Sequence, residues 1–433
     1  LGPTLVEAAE VAAQASAAGT DAADAARSAV PTVRALRDAF LAPFFSDVIL
    51  LFLGGFTLSA ALHRFGLDER GAAFVLRRTG NSRARLLLGM IGITAFLSMW
   101  MSNTATTAMM LTLVLPMLAG YELQDRFRLS LLLAIPFAAN FGGMGTPIGS
   151  PPNAIILRYI GLDAPGFLDW MLLAVPPMLL LLLAAWFVLL WLGGGLRSGR
   201  AEASADPASS PISAPSGVPG LRPGPGGGPT AFPPLSRKAW LVIGIFLSTA
   251  VLWLLGDVHG LSTGTVALLP LIVCFGVGLL DARDFRGLPW DVLITVGGGL
   301  SLGVGVTVSG LDAWLVGLLP LAELGPLGAI LLFAFLALVL SSVMSNTATA
   351  TLLAPIVVGV AGFESTTILV AVAFACSSAM ALPVSTPPNA MAFASGYLKV
   401  RDLLLPGLLL SIVGWLFTGT VGVAWGQWIG VLP

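Results

Sequence analysis

The stretch MWMSNTATTAMM, residues 99–110, sets Ser102, Asn103, Thr104, Thr106 and Thr107 inside an otherwise apolar run with no charge beside them. The motif returns as VMSNTATATLL at 343–353, so MSNTAT starts at both Met101 and Met344, an offset of 243 residues. A polar hexapeptide repeated within two apolar runs marks an internal duplication. Where those runs begin and end decides the fold.

Of the 433 residues, 56% are hydrophobic and only 10% charged, with a mean hydropathy of +0.93. Soluble domains carry about 25% charged residues. This balance belongs in a bilayer, and the chain reads as an all-α integral membrane protein. About 20 apolar residues cross a hydrocarbon core of roughly 30 Å. Apolar runs occupy 48–63, 86–120, 129–157, 170–196, 239–256, 260–280, 292–311, 324–363, 365–398 and 403–433. Two of them, 86–120 and 324–363, are too long for one span and carry SNT near their midpoints. That arithmetic predicts two re-entrant helical hairpins turning at SNT, with each arm too short to cross. Irregular backbone at membrane depth is tolerated only where it is buried or lines a cavity.

Several function classes are excluded. A net charge of −1 with no basic face gives nucleic acid nothing to bind. Cys274 and Cys376 sit in apolar runs, where small buried thiols are expected. His63 and His259 are the only histidines, so a His/Cys metal centre is excluded. No H-E-x-x-H helix or phosphate loop is present, and no apolar segment pairs a nucleophile with a base, which argues against an enzyme.

Residues 197–238, rich in Pro, Gly, Ser and Ala, read as a flexible solvated linker. It separates a first repeat, 41–196, from a second, 239–433, and an Ala-rich segment at 1–40 is too polar to span. The halves match beyond SNT. LGGFTLSAALHRFGL (53–67) resembles VGGGLSLGVGVTVSGL (296–311), and GTPIGSPPNAI (145–155) resembles ALPVSTPPNAM (381–391). Arg77, Arg78, Arg83, Arg85, Arg126, Arg128, Arg197, Arg200, Arg237, Lys238, Arg283, Arg286, Lys399 and Arg401 fall in alternate connections, whereas the others hold only Arg158. Lys and Arg mark the cytoplasmic side, so the basic loops and the linker are expected there. The hairpin at 86–120 then enters from the basic side and that at 324–363 from the other. Inverted repeats with interrupted helices are the design of secondary transporters, with the site at the midplane. Channels share that design, so a pore stays open as an alternative.

Both PPN motifs lie inside runs long enough to span, 129–157 and 365–398. Tandem proline removes backbone donors and disfavours helix at the preceding residue, which predicts two broken helices with freed carbonyls beside Gly149 and Ser385. For either copy alone, a simple proline kink is an equally good reading. Freed carbonyls with Ser, Thr and Asn oxygens make a neutral cage suited to Na⁺. Ser98 and Ser102 are four apart, as are Ser341 and Ser345, which on a helix puts each pair on one face, although small polar residues also serve helix packing. No Asp, Glu, Lys or Arg lies within 86–120, 129–157, 324–363 or 365–398. Proton coupling would need a titratable carboxylate there. An anion must instead be held by amide and hydroxyl donors, helix N-termini and bound cations, with Thr104 and Thr347 placed at the start of the second hairpin arms.

With its paired SNT and PPN motifs, the chain resembles the divalent anion:sodium symporter family over roughly residues 40–433. The resemblance implies an inverted-repeat fold and a homodimer working by an elevator motion. It implies coupling of sodium to a divalent anion, most simply a C4-dicarboxylate such as succinate, malate or fumarate. Citrate or sulfate symport, sodium-independent exchange and an anion channel are the alternatives. It places substrate on Asn103, Thr104, Ser150, Pro151, Asn346, Thr347, Thr386 and Pro387. Two sodium sites would be built from Ser98, Ser102, Asn103 and Gly149, and from Ser341, Met344, Asn346 and Ser385. One departure stands out. Spans 239–256 and 260–280 have no counterpart at the expected offset, where the Ala-rich 1–40 segment lies. The chain, which starts at Leu1, is therefore expected to lack upstream scaffold helices, with 1–40 an enlarged loop.

Overall fold

Long apolar runs can satisfy their backbone N–H and C=O groups in a bilayer only by coiling into helices or closing into a barrel. This chain coils. A computed structural model describes residues 33–79, 82–118, 121, 125–161, 164–194, 234–318, 321–360 and 365–433, and every regular element among them is helical. Seven stretches among the described residues are long and apolar enough to cross a membrane: Arg37–Arg64, Phe127–Gly145, Phe167–Leu192, Arg237–Leu254, Trp290–Ser309, Leu324–Val343 and Val400–Trp428. The linker expectation at 197–238 and the N-terminal one at 1–40 fall mostly outside the described residues.

The helices of the first half are α1 (Val33–Leu41), α2 (Asp47–Arg64), α3 (Leu67–Arg78), α4 (Arg83–Ser98), α5 (Asn103–Leu118), α6 (Phe127–Gly142), α7 (Pro151–Ile160) and α8 (Phe167–Leu192). Those of the second are α9 (Arg237–Leu254), α10 (Thr263–Gly276), α11 (Trp290–Ser309), α12 (Leu311–Gly317), α13 (Leu321–Val343), α14 (Asn346–Val358), α15 (Ser365–Ser378), α16 (Pro387–Ala394) and α17 (Val400–Phe417). The pattern GLSLG at 299–303, which spells a hydrolase elbow, lies inside the continuous helix α11.

Each SNT motif sits at a helix–turn–helix. Met99–Ser102 joins α4 to α5, and each arm has 16 residues, about 24 Å at 1.5 Å per residue. Both arms fall short of the bilayer core. The second hairpin differs from expectation. Its arm α14 has 13 residues, but the apolar part of α13, Leu324–Val343, has 20 and could span alone. The kink that would have shortened it comes early, at Gly325 (φ 64°) ahead of Pro326, and the Leu-, Ala- and Phe-rich run beyond it is uninterrupted.

Each PPN motif sits at a helix break. The chain leaves α6 through a turn at Gly143–Gly145, extends at Ser150, and restarts as α7 with Pro151 at the first helical position. It leaves α15 at Ser378 and restarts as α16 with Pro387 in the same role. Proline suits that position because its missing N–H would be unpaired there anyway.

Packing interleaves the halves. Helix α5 packs on α16, and α14 packs on α7, so each SNT helix lies against the PPN helix of the other half. Helices α6 and α15 run through the middle, nearly every residue buried, with α4, α5 and α8 around the first and α13, α14 and α17 around the second. Outside this block, α2 packs closely on α10, where a Cβ on Gly54 would stand 2.4 Å from Ala267 O. Helix α1 and the short turn Ala42–Phe45 pack on α11.

Candidate ion and substrate site

The first hairpin closes on the first helix break through Asn103. Its side-chain amide faces three acceptors at once: Gly149 O and Ala139 O at 3.1 Å each, and Ser98 Oγ at 2.7 Å. Ser98, fully buried at the end of α4, also donates to Ala139 O at 2.8 Å. Asn103 can present either amide atom to this group. With nitrogen inward, two hydrogens serve three acceptors. With oxygen inward, four oxygens converge and only the Ser98 hydrogen is shared among them, an arrangement a desolvated cation stabilises. No carboxylate takes part.

Glycine makes the approach possible. A Cβ on Gly143 would stand 2.6 Å from Asn103 Oδ1, and one on Gly149 would stand 2.6 Å from Gly143 O. The freed carbonyls of the break do not all face the site. Asn153, the last residue of SPPN, folds back and donates to Gly143 O and Thr146 O, both at 2.8 Å. Trp170 of α8 donates its indole N–H to Met144 O at 2.9 Å, and Thr146 Oγ1 donates to Met99 O in the hairpin turn. Backbone that would otherwise be orphaned in an apolar setting is thus paired. Ser150, buried and extended, makes no side-chain cap bond.

The second half repeats this with changes. Asn389 donates to Met380 O and Leu382 O at 3.0 Å each and to Ser385 Oγ at 3.2 Å, the counterpart of Asn153 at an offset of 236 residues. Thr386 caps α16, accepting from Asn389 N at 3.3 Å. Ser341 Oγ and Asn346 Oδ1, however, are buried atoms with no hydrogen-bond partner, and Ser385 Oγ is occupied by Leu382 O at 2.7 Å. Among the described residues no hydrogen bond joins Ser341, Met344, Asn346 and Ser385 as one joins Ser98 to Asn103.

The serine pairs do not share helix faces as expected. Helix α4 ends at Ser98, and Ser102 lies beyond the turn, where its Oγ accepts from Ala105 N at 3.2 Å. Ser345 does the same for Ala348 N at 3.1 Å while Ser341 stays on α13. Each SNT serine is therefore an N-cap of the second arm, holding a backbone donor the helix cannot use. Thr104 and Pro387 are exposed, and Thr347 and Pro151 half-buried, so the starts of α5, α14, α7 and α16 remain open to a ligand.

Four contributors escaped the sequence reading. Ala139 enters through its carbonyl, which no side-chain pattern reveals. Asn153 and Asn389 were in plain view within PPN, but their fold-back role needs the break to be drawn. Asn140 bridges the halves, donating to Thr386 Oγ1 at 3.1 Å while its own Oδ1 stays unpaired.

Comparison with known proteins agrees with this architecture. A family model described as citrate transporter matches residues 20–368. The chain is 31% identical over 410 residues to the sodium-dependent dicarboxylate transporter SdcS of Staphylococcus saprophyticus, covering 86% of this chain and 76% of that one. It is 30% identical over 403 residues to SdcS of Staphylococcus aureus, covering 85% and 74%. Among solved structures, the YdaH transporter of Alcanivorax borkumensis superposes with a TM-score of 0.58 at 14% identity, covering 93% of this chain and 91% of that one. At that identity the likeness speaks for the fold alone. With the family model matching most of its length and relatives at 30–31% identity covered over about three quarters of their own length, the chain is a multi-pass membrane transporter, not an enzyme, and belongs to the divalent anion:sodium symporter family.

Proposed function

We propose that this protein couples sodium to the uptake of a divalent organic anion, with a C4-dicarboxylate such as succinate, malate or fumarate the favoured cargo. The observation that carries this reading is the uncharged oxygen group of Ser98, Asn103, Ala139 O and Gly149 O. A sodium ion there would be met by neutral oxygens. In the second half, the unpaired Ser341 Oγ and Asn346 Oδ1, with Met344 between them in the chain and Ser385 at the second helix break, would supply the oxygens for a second ion. Ser102 enters the first site only through its position, because its Oγ already caps α5.

The anion would lie between the two PPN breaks and the two SNT turns. There Asn103, Thr104, Asn346 and Thr347 face it from the hairpins, and Ser150, Pro151, Thr386 and Pro387 from the restarting helices. Four helix N-termini with no fixed cation leave a −2 charge only partly compensated, each terminus contributing at most about 2 kcal/mol. Bound cations make up the difference, so sodium and anion affinities rise together by the same factor. The names of the SdcS relatives, sodium-dependent dicarboxylate transporters, support this choice of ion and cargo.

In this reading the halves form inverted repeats, 41–196 and 239–433. The two hairpins and two broken helices, interleaved as one block with α8 and α17, move as an elevator against a scaffold that includes α2, α10 and α11, in a homodimer. The basic connections are assigned to the cytoplasmic side, a reading supported where two pairs of them meet. Arg64 ion-pairs with both Asp281 and Asp284, and Arg126, Lys399 and Arg401 line one cavity. Mass photometry of the purified protein giving a monomer would remove the homodimer.

The decisive test is radiolabelled succinate uptake by purified protein in liposomes, with sodium replaced by choline at constant ionic strength. Uphill uptake that vanishes in choline is expected. Uptake that persists in choline and requires internal anion would replace symport with exchange.

A further inference from the structure

Away from the SNT and PPN motifs, the basic end of the molecule holds a cavity of about 560 Å³ between α6, α8 and α17. Its charge is lopsided. Arg126, Lys399 and Arg401 line it against a single carboxylate, Asp402. That carboxylate accepts from Lys399 N at 2.9 Å and stands 3.9 Å from Arg401 Nε. Among the described residues, neither Arg126 nor Lys399 is in an ion pair. Arg126 and Lys399 are also the residues that cap α6 and α17. Two positive helix ends therefore open on the same space as three cations.

A second observation lies just behind this wall. Arg128 is only 7% exposed, its Nε has no partner, and its guanidinium lies 5.1 Å from the centre of the Tyr397 ring. It adds positive charge that no carboxylate in the described residues neutralises. It also ties the first turn of α6 to the segment carrying Lys399, so the cavity's shape is built into the packing.

Apart from Ser130, whose hydroxyl donates to Leu189 O at 2.6 Å, the rest of the lining is apolar. Leu133 and Leu189 form a buried floor, while Leu405, 61% exposed, opens the cavity onto the outer face of α17. Trp191, 60% exposed, is next in the chain to the lining residue Leu192, and Tyr397, 46% exposed, comes two residues before Lys399. Exposed Trp and Tyr at helix ends mark the headgroup level of a bilayer. A soluble anion needs no aliphatic exit at that depth, whereas a lipid does. We propose that this cavity binds the phosphate of an anionic phospholipid, with Arg126, Lys399 and Arg401 on the headgroup and an acyl chain leaving past Leu405. Basic pockets between membrane helices take anionic headgroups by this chemistry. The inference concerns a different face from the transport site and holds whichever anion is carried.

The experiment uses the full-length protein in detergent with equal phosphatidylglycerol and phosphatidylcholine, read by native mass spectrometry. The wild type should retain phosphatidylglycerol preferentially, and each of R126Q, K399Q and R401Q should lower that preference roughly fivefold. The charge-keeping pair R126K and R401K should preserve it, which separates lost charge from lost folding. Equal retention of both lipids by the wild type, or an unchanged preference in the triple glutamine variant, would overturn the proposal. A further arm measures thermal stabilisation by millimolar inorganic phosphate in phosphatidylcholine nanodiscs. Stabilisation by phosphate alone, matching that by phosphatidylglycerol and lost in the triple variant, would assign the site to a soluble anion and also overturn it.

Discussion

The two SNT hairpins carry the same hexapeptide and meet different surroundings. In the first half Asn103 is held by Ser98, Ala139 O and Gly149 O; in the second, Asn346 Oδ1 and Ser341 Oγ are buried without partners. The cause lies in the breaks. Gly143 and Gly149 let hairpin and break approach, and a Cβ at Gly143 would stand 2.6 Å from Asn103 Oδ1. At the offset of 236 residues these positions are Ala379 and Ser385, both of which carry a Cβ. One motif, placed against two different backbones, gives one half closed on itself and one half left open. The open half is where added ligands have most to gain, because a buried polar atom without a partner is itself destabilising.

The strongest way to break this comparison is at the asparagines. Asn103→Ala and Asn346→Ala should both abolish sodium-driven succinate uptake, yet only Asn103→Ala should lower the unfolding temperature. It strands acceptors worth about 1–3 kcal/mol, whereas Asn346 Oδ1 has no bond to lose. Equal unfolding temperatures in differential scanning fluorimetry would dissolve the distinction between the halves.

Next in size is Gly143→Ala, which copies the second half into the first. Overpacking of this kind is worth about 1–3 kcal/mol, and tenfold corresponds to about 1.4 kcal/mol. The sodium concentration for half-maximal uptake should rise roughly tenfold or more. An unchanged sodium curve would mean that Asn103 has room to spare and that glycine is not what sets it.

A smaller effect is expected at the serines. Ser98→Ala and Ser341→Ala should each move the sodium dependence upward by roughly fivefold, the worth of a hydrogen bond near 1 kcal/mol, before the choice of anion alters. Ser98→Ala should also destabilise, because it loses the bond to Ala139 O, while Ser341→Ala should not. Competition between succinate and sulfate, measured beside the sodium curve, would expose a serine that selects the anion instead.

The smallest effect is a pair of silent cysteines. Arg85→Cys at the start of α4 and Val358→Cys at the end of α14 are both exposed and should leave uptake intact. An impermeant thiol reagent should reach them from opposite faces. Labelling from one face would overturn the inverted arrangement.

The hairpins and breaks were legible in the sequence because polar triplets and tandem prolines inside apolar runs have few other uses. The residues that bring ligands together were harder to see. A carbonyl such as Ala139 O belongs to every residue and announces nothing. Ser102 and Ser345 were misread because four-residue spacing implies one face only while the helix continues, and here the serine ends one helix problem by capping the next. The length of α13 escaped because Gly325 and Pro326 break a helix only where they stand, at its first turn.

A site assembled from hydroxyls, amides and carbonyls has no proton of its own to gain or lose near neutrality. The described residues hold no group of three or more His, Cys, Asp or Glu placed to hold a metal ion, and the four runs that form the hairpins and breaks lack Asp, Glu, Lys and Arg altogether. Acidity therefore acts on the cargo and not on the cradle. A pH–uptake curve measured with this protein becomes a titration of the molecule being carried, displaced when one acid is exchanged for another of different ionisation and indifferent to most substitutions in the wall around it.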